Sequence, residues 1–122
     1  MSESSIVSVE HLPTAVVVHV LKSDLVRKSD LDAICSEIDT AQSAAASLPF
    51  ILDIGRVTFM GSLAMGTLVG LHKEFKARGQ RLIFVSLQDN LRQSISITKL
   101  DQILAIMPDV PTALQSLGPA LG

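Results

Sequence analysis

Ser62 has the most informative position among the residues that could do chemistry. It stands between a predicted apolar strand, residues 50–54, and a predicted helix, roughly residues 63–78. A helix start presents unpaired backbone N–H groups and the positive end of the helix dipole. A serine there can be a plain N-cap, or it can carry a phosphate that the helix start stabilises electrostatically. The sequence leaves both roles of Ser62 open.

The other candidate side chains do not combine into a catalytic or metal site. His11, His19 and His72 lack metal-ligand spacing, and no nucleophile elbow, Walker loop or dinucleotide glycine fingerprint is present. Cys35 falls on the apolar stripe of a predicted helix, where a small buried residue is expected. Asp53 is an isolated carboxylate at the predicted carboxyl edge of the sheet. We therefore predict no enzymatic activity, no metal and no cofactor.

Length and composition predict one domain spanning residues 1–122, with a core at about residues 6–117. Hydrophobic residues make up 48% of the chain, aromatic residues only 3%, and the formal net charge is −2. Without stacking aromatics or a basic face, nucleic-acid binding is not expected. The single cysteine excludes an internal disulfide, and neither a signal peptide nor a membrane-spanning apolar run is evident. We predict a cytoplasmic protein without direct membrane insertion.

Runs of apolar and β-branched residues alternate with helical patterns along the chain. Strands are predicted at residues 6–9, 15–20, 50–54, 81–87 and 103–107. Helices are predicted from Ser29 to before Pro49, over residues 63–78, after Asp89 or Asn90, and from Pro111. The first two strands are expected to pair antiparallel. The order β-β-α-β-α-β-α-β-α predicts an α/β fold, a mixed sheet of about five strands with about four helices packed against it.

The ends of the helices are predicted from their capping residues. Ser29, with Asp32 three residues later, is an approximate capping box, and Asp89 or Asn90 is expected to cap the third helix. Residues 78–80, Arg-Gly-Gln, place a cation in the last turn of the second helix and a glycine just after it. This pattern is typical of a helix C-terminus.

The helix after Ser62 has two distinct faces when residues are projected at about 100° each. Its predicted inward face consists of Ala64, Met65, Leu68, Leu71, His72 and Phe75. A second stripe, close to outward, consists of Ser62, Gly66, Gly70, Lys73 and Ala77. Each glycine inside a helix costs on the order of 1 kcal/mol relative to alanine. The two glycines indicate either tight packing against a neighbouring element or a docking strip for another protein, with Ser62 at its head.

Residues 53–68 resemble the signature of the STAS domain, the fold of bacterial anti-sigma-factor antagonists. They read Asp-Ile-Gly-Arg-Val-Thr-Phe-Met-Gly-Ser-Leu-Ala-Met-Gly-Thr-Leu. The family pattern is Asp-(Leu/Ile)-x-x-Val-x-Phe-(Ile/Met)-Asp-Ser-(Ser/Ala)-Gly-Leu-Gly-x-Leu. The similarity continues through residues 78–80, 82–87, 90–92, 100–101 and 103–107, and it covers roughly residues 6–117. The resemblance implies a STAS-like mixed sheet, in agreement with the predicted element order.

The resemblance also implies a partner-switching module. In the family, the unphosphorylated antagonist binds an anti-sigma factor that is also a serine kinase, and this binding frees the sigma factor. The kinase phosphorylates a serine or threonine at the helix start and so ends the binding, and a phosphatase resets the switch. The matching position here is Ser62. The partner-binding residues are then expected to be Gly61, Ser62, Leu63, Gly66, Gly70 and Lys73.

Three residues depart from the family signature. Gly61 stands where the family has aspartate, and Leu63 and Ala64 replace the small residue and the glycine after the phosphoacceptor. The changes at Gly61 and Leu63 favour an alternative, a non-switching STAS adaptor subunit of a signalling assembly or of a lipid-transport ATPase complex. A third interpretation is a small-molecule or nucleotide sensor that uses Asp53 and the sheet edge near Ser62.

Overall fold

A five-stranded sheet lies at the centre of the structure, a computed structural model that describes residues 6–117. The strands within these residues are β1 (Val7–His11), β2 (Val16–Val20), β3 (Asp24–Leu25), β4 (Phe50–Asp53), β5 (Phe59–Met60), β6 (Leu82–Val85) and β7 (Ala105–Met107). The helices are α1 (Lys28–Ala44), α2 (Ser62–Ala77), α3 (Asp89–Ile97) and α4 (Val110–Ser116), with a 3₁₀ turn at Leu100–Gln102. The predicted α/β fold is confirmed. The predicted domain limits at residues 1 and 122 lie outside the described residues.

The main sheet has the strand order β1-β2-β4-β6-β7. β1 pairs antiparallel with β2, whereas the β2/β4, β4/β6 and β6/β7 pairs are parallel. The predicted mixed sheet with an antiparallel first pair is therefore confirmed. Because the parallel strands point the same way, their carboxyl ends meet at one edge of the sheet, where open α/β folds place their ligands.

Helices cover both faces of this sheet. On one face, Phe50 and Leu52 of β4 belong to a core that also contains apolar residues of α1, α2 and α3. Phe50 packs there against Phe75 of α2 with ring centroids 5.2 Å apart in an edge-on arrangement. On the other face, Ile51 packs in a smaller core with Ala113 of α4. The central strands are almost wholly apolar because both of their faces are covered.

The predicted capping box of α1 is wrong. The helix begins at Lys28 with Arg27 in the N-cap position, and no side chain caps it. Ser29 therefore lies inside the helix. Asp32 instead accepts a hydrogen bond from the Lys28 ammonium group (Nζ to Oδ2, 2.8 Å), one turn earlier on the same helix face.

The third helix and the last strand also differ from the prediction. Gln88 occupies the N-cap position of α3, so neither Asp89 nor Asn90 is its cap. The Asn90 side chain instead donates a hydrogen bond to the Thr58 carbonyl oxygen (2.6 Å) and so ties α3 to the loop between β4 and β5. β7 starts at Ala105, two residues later than predicted, because the N–H groups of Ile103 and Leu104 both donate to the Leu100 carbonyl oxygen (3.0 and 2.8 Å).

Candidate functional site

Ser62 is the first residue of α2, and its side chain is exposed. Gly61 occupies the N-cap position with an extended backbone (φ −83°, ψ 176°). Its carbonyl oxygen accepts the first hydrogen bond of the helix from the Met65 N–H (3.1 Å). Gly61 and not Ser62 is therefore the N-cap residue, and the alternative of a plain N-cap role for Ser62 is wrong. The Ser62 hydroxyl forms no hydrogen bond with any residue in the described part of the chain.

A second, two-stranded parallel sheet, β3 with β5, brings the chain before α1 to the side of Ser62. Leu25 pairs with Met60, and both side chains are buried. Because side chains alternate along a strand, Val26 and Phe59 lie on the outer side, with exposed fractions of 46% and 56%. Leu63 in the first turn of α2 is 51% exposed. Ser62 therefore stands beside exposed apolar side chains, of which Val26 and Phe59 were not predicted as site residues.

The outward stripe of α2 is open. Gly66, Gly70 and Lys73 are exposed. A Cβ atom added at Gly66 or Gly70 would meet no other residue of the described chain within 4 Å. Tight packing inside the domain therefore does not explain these glycines. A candidate docking face, called the docking face below, combines exposed residues just after β3, in β5 and along α2 with the half-buried Gly61: Val26, Phe59, Gly61, Ser62, Leu63, Gly66, Gly70 and Lys73.

Hydrogen bonds from two sides hold the loop that leads to Ser62. The Gln88 side chain donates to the Gly55 carbonyl oxygen (3.0 Å), and the Asn90 side chain donates to that of Thr58 (2.6 Å). From the other side, the Ser23 carbonyl oxygen accepts from the Thr58 N–H (2.7 Å) and from the Thr58 hydroxyl (3.0 Å). The segment that leads to α2 is therefore anchored on two sides, and an anchored segment loses less entropy on binding than a flexible one.

Asp53, at the end of β4, is engaged by other parts of the protein. Its Oδ1 accepts a hydrogen bond from the Gly55 N–H (3.0 Å), and its Oδ2 lies 2.8 Å from Nδ1 of His19. Nε2 of the same ring lies 3.2 Å from the Glu10 carboxylate. Burial lowers the pKa of His19, but hydrogen bonds to the two carboxylates and their negative charges outweigh it, so the pKa is raised overall. These contacts explain why a carboxylate lies at the end of an otherwise apolar strand, and the explanation requires no bound ligand.

The remaining candidate side chains do not form a second constellation. Within residues 6–117, no group of three His, Cys, Asp or Glu residues could hold a metal ion. Cys35 is half-buried on α1, and burial together with the charges of Glu74 and Asp32 raises the pKa of its thiol. The thiolate, which is the nucleophilic form of cysteine, is therefore disfavoured. Among the helices of the described chain, none is long and apolar enough to cross a membrane.

The fold is an α/β domain, and its candidate site is an exposed serine hydroxyl at the start of a helix rather than a group inside a cleft. The family model of the STAS domain matches residues 8–113. The chain belongs to the STAS domain family.

Solved structures share this fold. An anti-sigma-factor antagonist (STAS) domain protein from Planctomyces limnophilus is 20% identical, with a TM-score of 0.78 over 93% of this chain and 98% of that one. The Bacillus cell fate determinant SpoIIAA in its phosphorylated form is 21% identical, with a TM-score of 0.69 over 91% and 98%. The murine anion transporter Slc26a9 is 13% identical, with a TM-score of 0.73 over 88% of this chain but 18% of the transporter. At such identities the likeness shows the fold alone.

Proposed function

We propose that this protein is an anti-sigma-factor antagonist that binds an anti-sigma factor with serine-kinase activity and is switched by phosphorylation of Ser62. The observation that carries the proposal is the exposed, unbonded Ser62 hydroxyl at the start of α2. Membership of the STAS family and the fold shared with anti-sigma-factor antagonists support it. A phosphatase would restore the binding-competent form.

Phosphorylation at this position would act on the docking face through charge. A phosphoserine carries about −1.5 to −2 charges at pH 7. The first turn of α2 contains no acidic residue, so its free N–H groups and dipole would stabilise the phosphate within the free protein. In a complex the same charge would have to be desolvated beside Phe59 and Leu63, which is costly for an unpaired charge. The modification therefore stabilises the free state and destabilises the bound one.

The decisive experiment compares Ser62→Ala with Ser62→Asp in pull-downs from the native cell lysate, followed by purification of any captured serine kinase. We expect the kinase to be retained by wild type and Ser62→Ala and lost by Ser62→Asp. The purified kinase with ATP should add one phosphate to wild type, mapped to Ser62 by mass spectrometry, and none to Ser62→Ala. Ser47→Asp is the matched control, because it adds the same charge at an exposed turn outside the docking face. Equal capture by the Ala and Asp variants would refute the switch.

The departure of Gly61 from the family signature favours a second candidate, a non-switching adaptor subunit of a signalling assembly or of a lipid-transport ATPase complex. The backbone at Gly61 is extended, and an added Cβ would lie 3.9 Å from the Leu25 carbonyl oxygen, an ordinary contact. Space therefore does not account for the absence of the family's aspartate. Capture of the same transporter component by wild type and Ser62→Asp would support the adaptor.

A further inference from the structure

A cavity of about 250 Å³ lies at the amino edge of the sheet, beside the C-terminal half of α2. His72 and Lys76 of α2 line it, together with Arg81, which immediately precedes β6. Leu82 at the start of β6 and Ala105 at the start of β7 add apolar surface. His72 and Lys76 lie 10 and 14 residues after Ser62 in α2, so at a rise of about 1.5 Å for each residue the cavity lies roughly 15–21 Å along the helix from its first residue.

Backbone hydrogen bonds cap the C-terminal end of α2 beside this cavity. Gly79 has a left-handed backbone (φ +70°), its N–H donates to the Lys76 carbonyl oxygen (3.0 Å), and the Gln80 N–H donates to that of Phe75 (2.8 Å). This pair of bonds is a Schellman motif, so the predicted helix stop is confirmed. Two of the last carbonyl groups of α2 are thereby engaged, which weakens the negative pole that the helix end would otherwise present to a bound ligand.

The basic side chains of the cavity have no acidic partners. Within residues 6–117, Lys76 and Arg81 form no ion pair, and the side chains of Lys76, Arg81 and His72 form no hydrogen bond. No acidic residue of the described chain lines the cavity. The whole chain has a net charge of −2, so this concentration of cations is not a consequence of overall composition. Cations in a concave surface with apolar walls attract small anions more strongly than the same charges on a flat surface.

We propose that this cavity binds a small organic anion. Lys76 and Arg81 hold its carboxylate or phosphate group by charge-assisted hydrogen bonds, and the His72 ring donates a third. The apolar part of the ligand lies against Leu82 and Ala105. A volume of about 250 Å³ corresponds to roughly eight water molecules, which restricts the ligand to a short molecule. The proposal does not depend on the switch at Ser62.

The test is a titration of the ¹⁵N-labelled protein with hexanoate and with hexyl phosphate, monitored by NMR. We expect either anion to shift the amide signals of Gly79, Leu82 and Ala105. Hexanol and hexylammonium have the same tail without the negative charge, so they should leave these signals in place. If neither anion shifts them, or if hexanol shifts them equally, the proposal is wrong.

A double variant tests the assigned side chains. Lys76→Gln with Arg81→Gln should weaken binding of the anion at least about tenfold, since two hydrogen bonds to a charged group are lost. Arg27→Gln with Arg56→Gln is the matched control, because it removes two exposed cations outside the cavity and should leave the affinity unchanged. The amide spectrum of each variant verifies folding independently of binding. An unchanged affinity in the first double variant would overturn the proposal.

Discussion

Replacement of Gly66 and Gly70 by alanine should stabilise the domain while it weakens partner binding. Both glycines lie inside α2, and an added Cβ at either position would meet no atom of the described chain outside the adjoining turns of the helix within 4 Å. The intrinsic helix preference of alanine over glycine, about 1 kcal/mol for each residue, should therefore be gained in full. The double variant should gain about 2 kcal/mol in the free energy of unfolding. At this chain length, about 4 °C in Tm corresponds to 1 kcal/mol, so Tm should rise by about 8 °C.

The effect on binding should have the opposite sign. If a partner packs directly on the glycine stripe, two added methyl groups overpack that contact, at a cost of about 1–3 kcal/mol. The affinity for the serine kinase captured by wild type should then fall by at least about fivefold. Thermal and urea unfolding give the stability, and calorimetric titration with the purified kinase gives the affinity of the same protein samples.

Gly79→Ala is the control for the measurements of unfolding stability. Its left-handed backbone (φ +70°) disfavours any residue with a Cβ, so this change should lower the free energy of unfolding by about 1 kcal/mol. A loss of stability in the Gly66 and Gly70 variant would refute the conclusion that the stripe is open. A gain of stability with unchanged affinity would show that the stripe is not part of the docking face.

Three further predictions concern the core and the hydrogen bonds inside the domain. Phe75→Ala should lower the free energy of unfolding by about 4 kcal/mol, because it removes a fully buried ring packed edge-on against Phe50; a loss below about 1 kcal/mol in urea denaturation would contradict the packing. Gln80→Leu should cost about 3 kcal/mol in the same assay, since it removes the Gln80 hydrogen bonds to the Ala45 and Leu48 carbonyl oxygens and to the Gln42 side chain; a neutral result would show that water replaces these bonds. The pKa of His19 is raised in the folded protein, so its contribution to stability is complete below the ordinary value of 6.5 and is lost as pH rises through the raised pKa. The Tm difference between wild type and His19→Gln should therefore be larger at acidic than at alkaline pH, and a constant difference would refute this.

Hydrophobic patterning predicted the sheet because a strand that is buried on both faces appears in the sequence as an almost wholly apolar run. Residues 50–54 and 81–87 are almost wholly apolar runs, and they contain β4 and β6, the central parallel strands. The helical periodicity after Ser62 likewise predicted all four buried residues of α2, Leu68 and Phe75 among them, whereas Met65 and His72 of the predicted inward face are half-buried. The ends of the strands were less predictable. Hydrogen bonding to a neighbouring strand, rather than the amino-acid composition of the strand itself, decides where a strand ends.

Capping residues were a poor guide to helix starts. Ser29, Ser62 and Asp89 were each expected at or near an N-cap, yet all three lie inside their helices. The last extended residue before α2 is fixed by a tertiary contact, the hydrogen bond from the Gly61 N–H to the Leu25 carbonyl oxygen (3.0 Å). A side chain that can cap does so only where such contacts leave it in the N-cap position.

The sequence by itself determined the α/β alternation, the sheet with its antiparallel first pair, and the position of an exposed serine at the start of the second helix. These features follow from local periodicity and apolar runs, which act within one element. Only the tertiary structure decided what surrounds that serine. The β3/β5 pair is two residues long, too short for any periodicity, yet it brings Val26 to the docking face across more than thirty positions of chain. Contacts between residues so far apart in the chain form only when helices and strands pack together, so the local sequence pattern does not predict them.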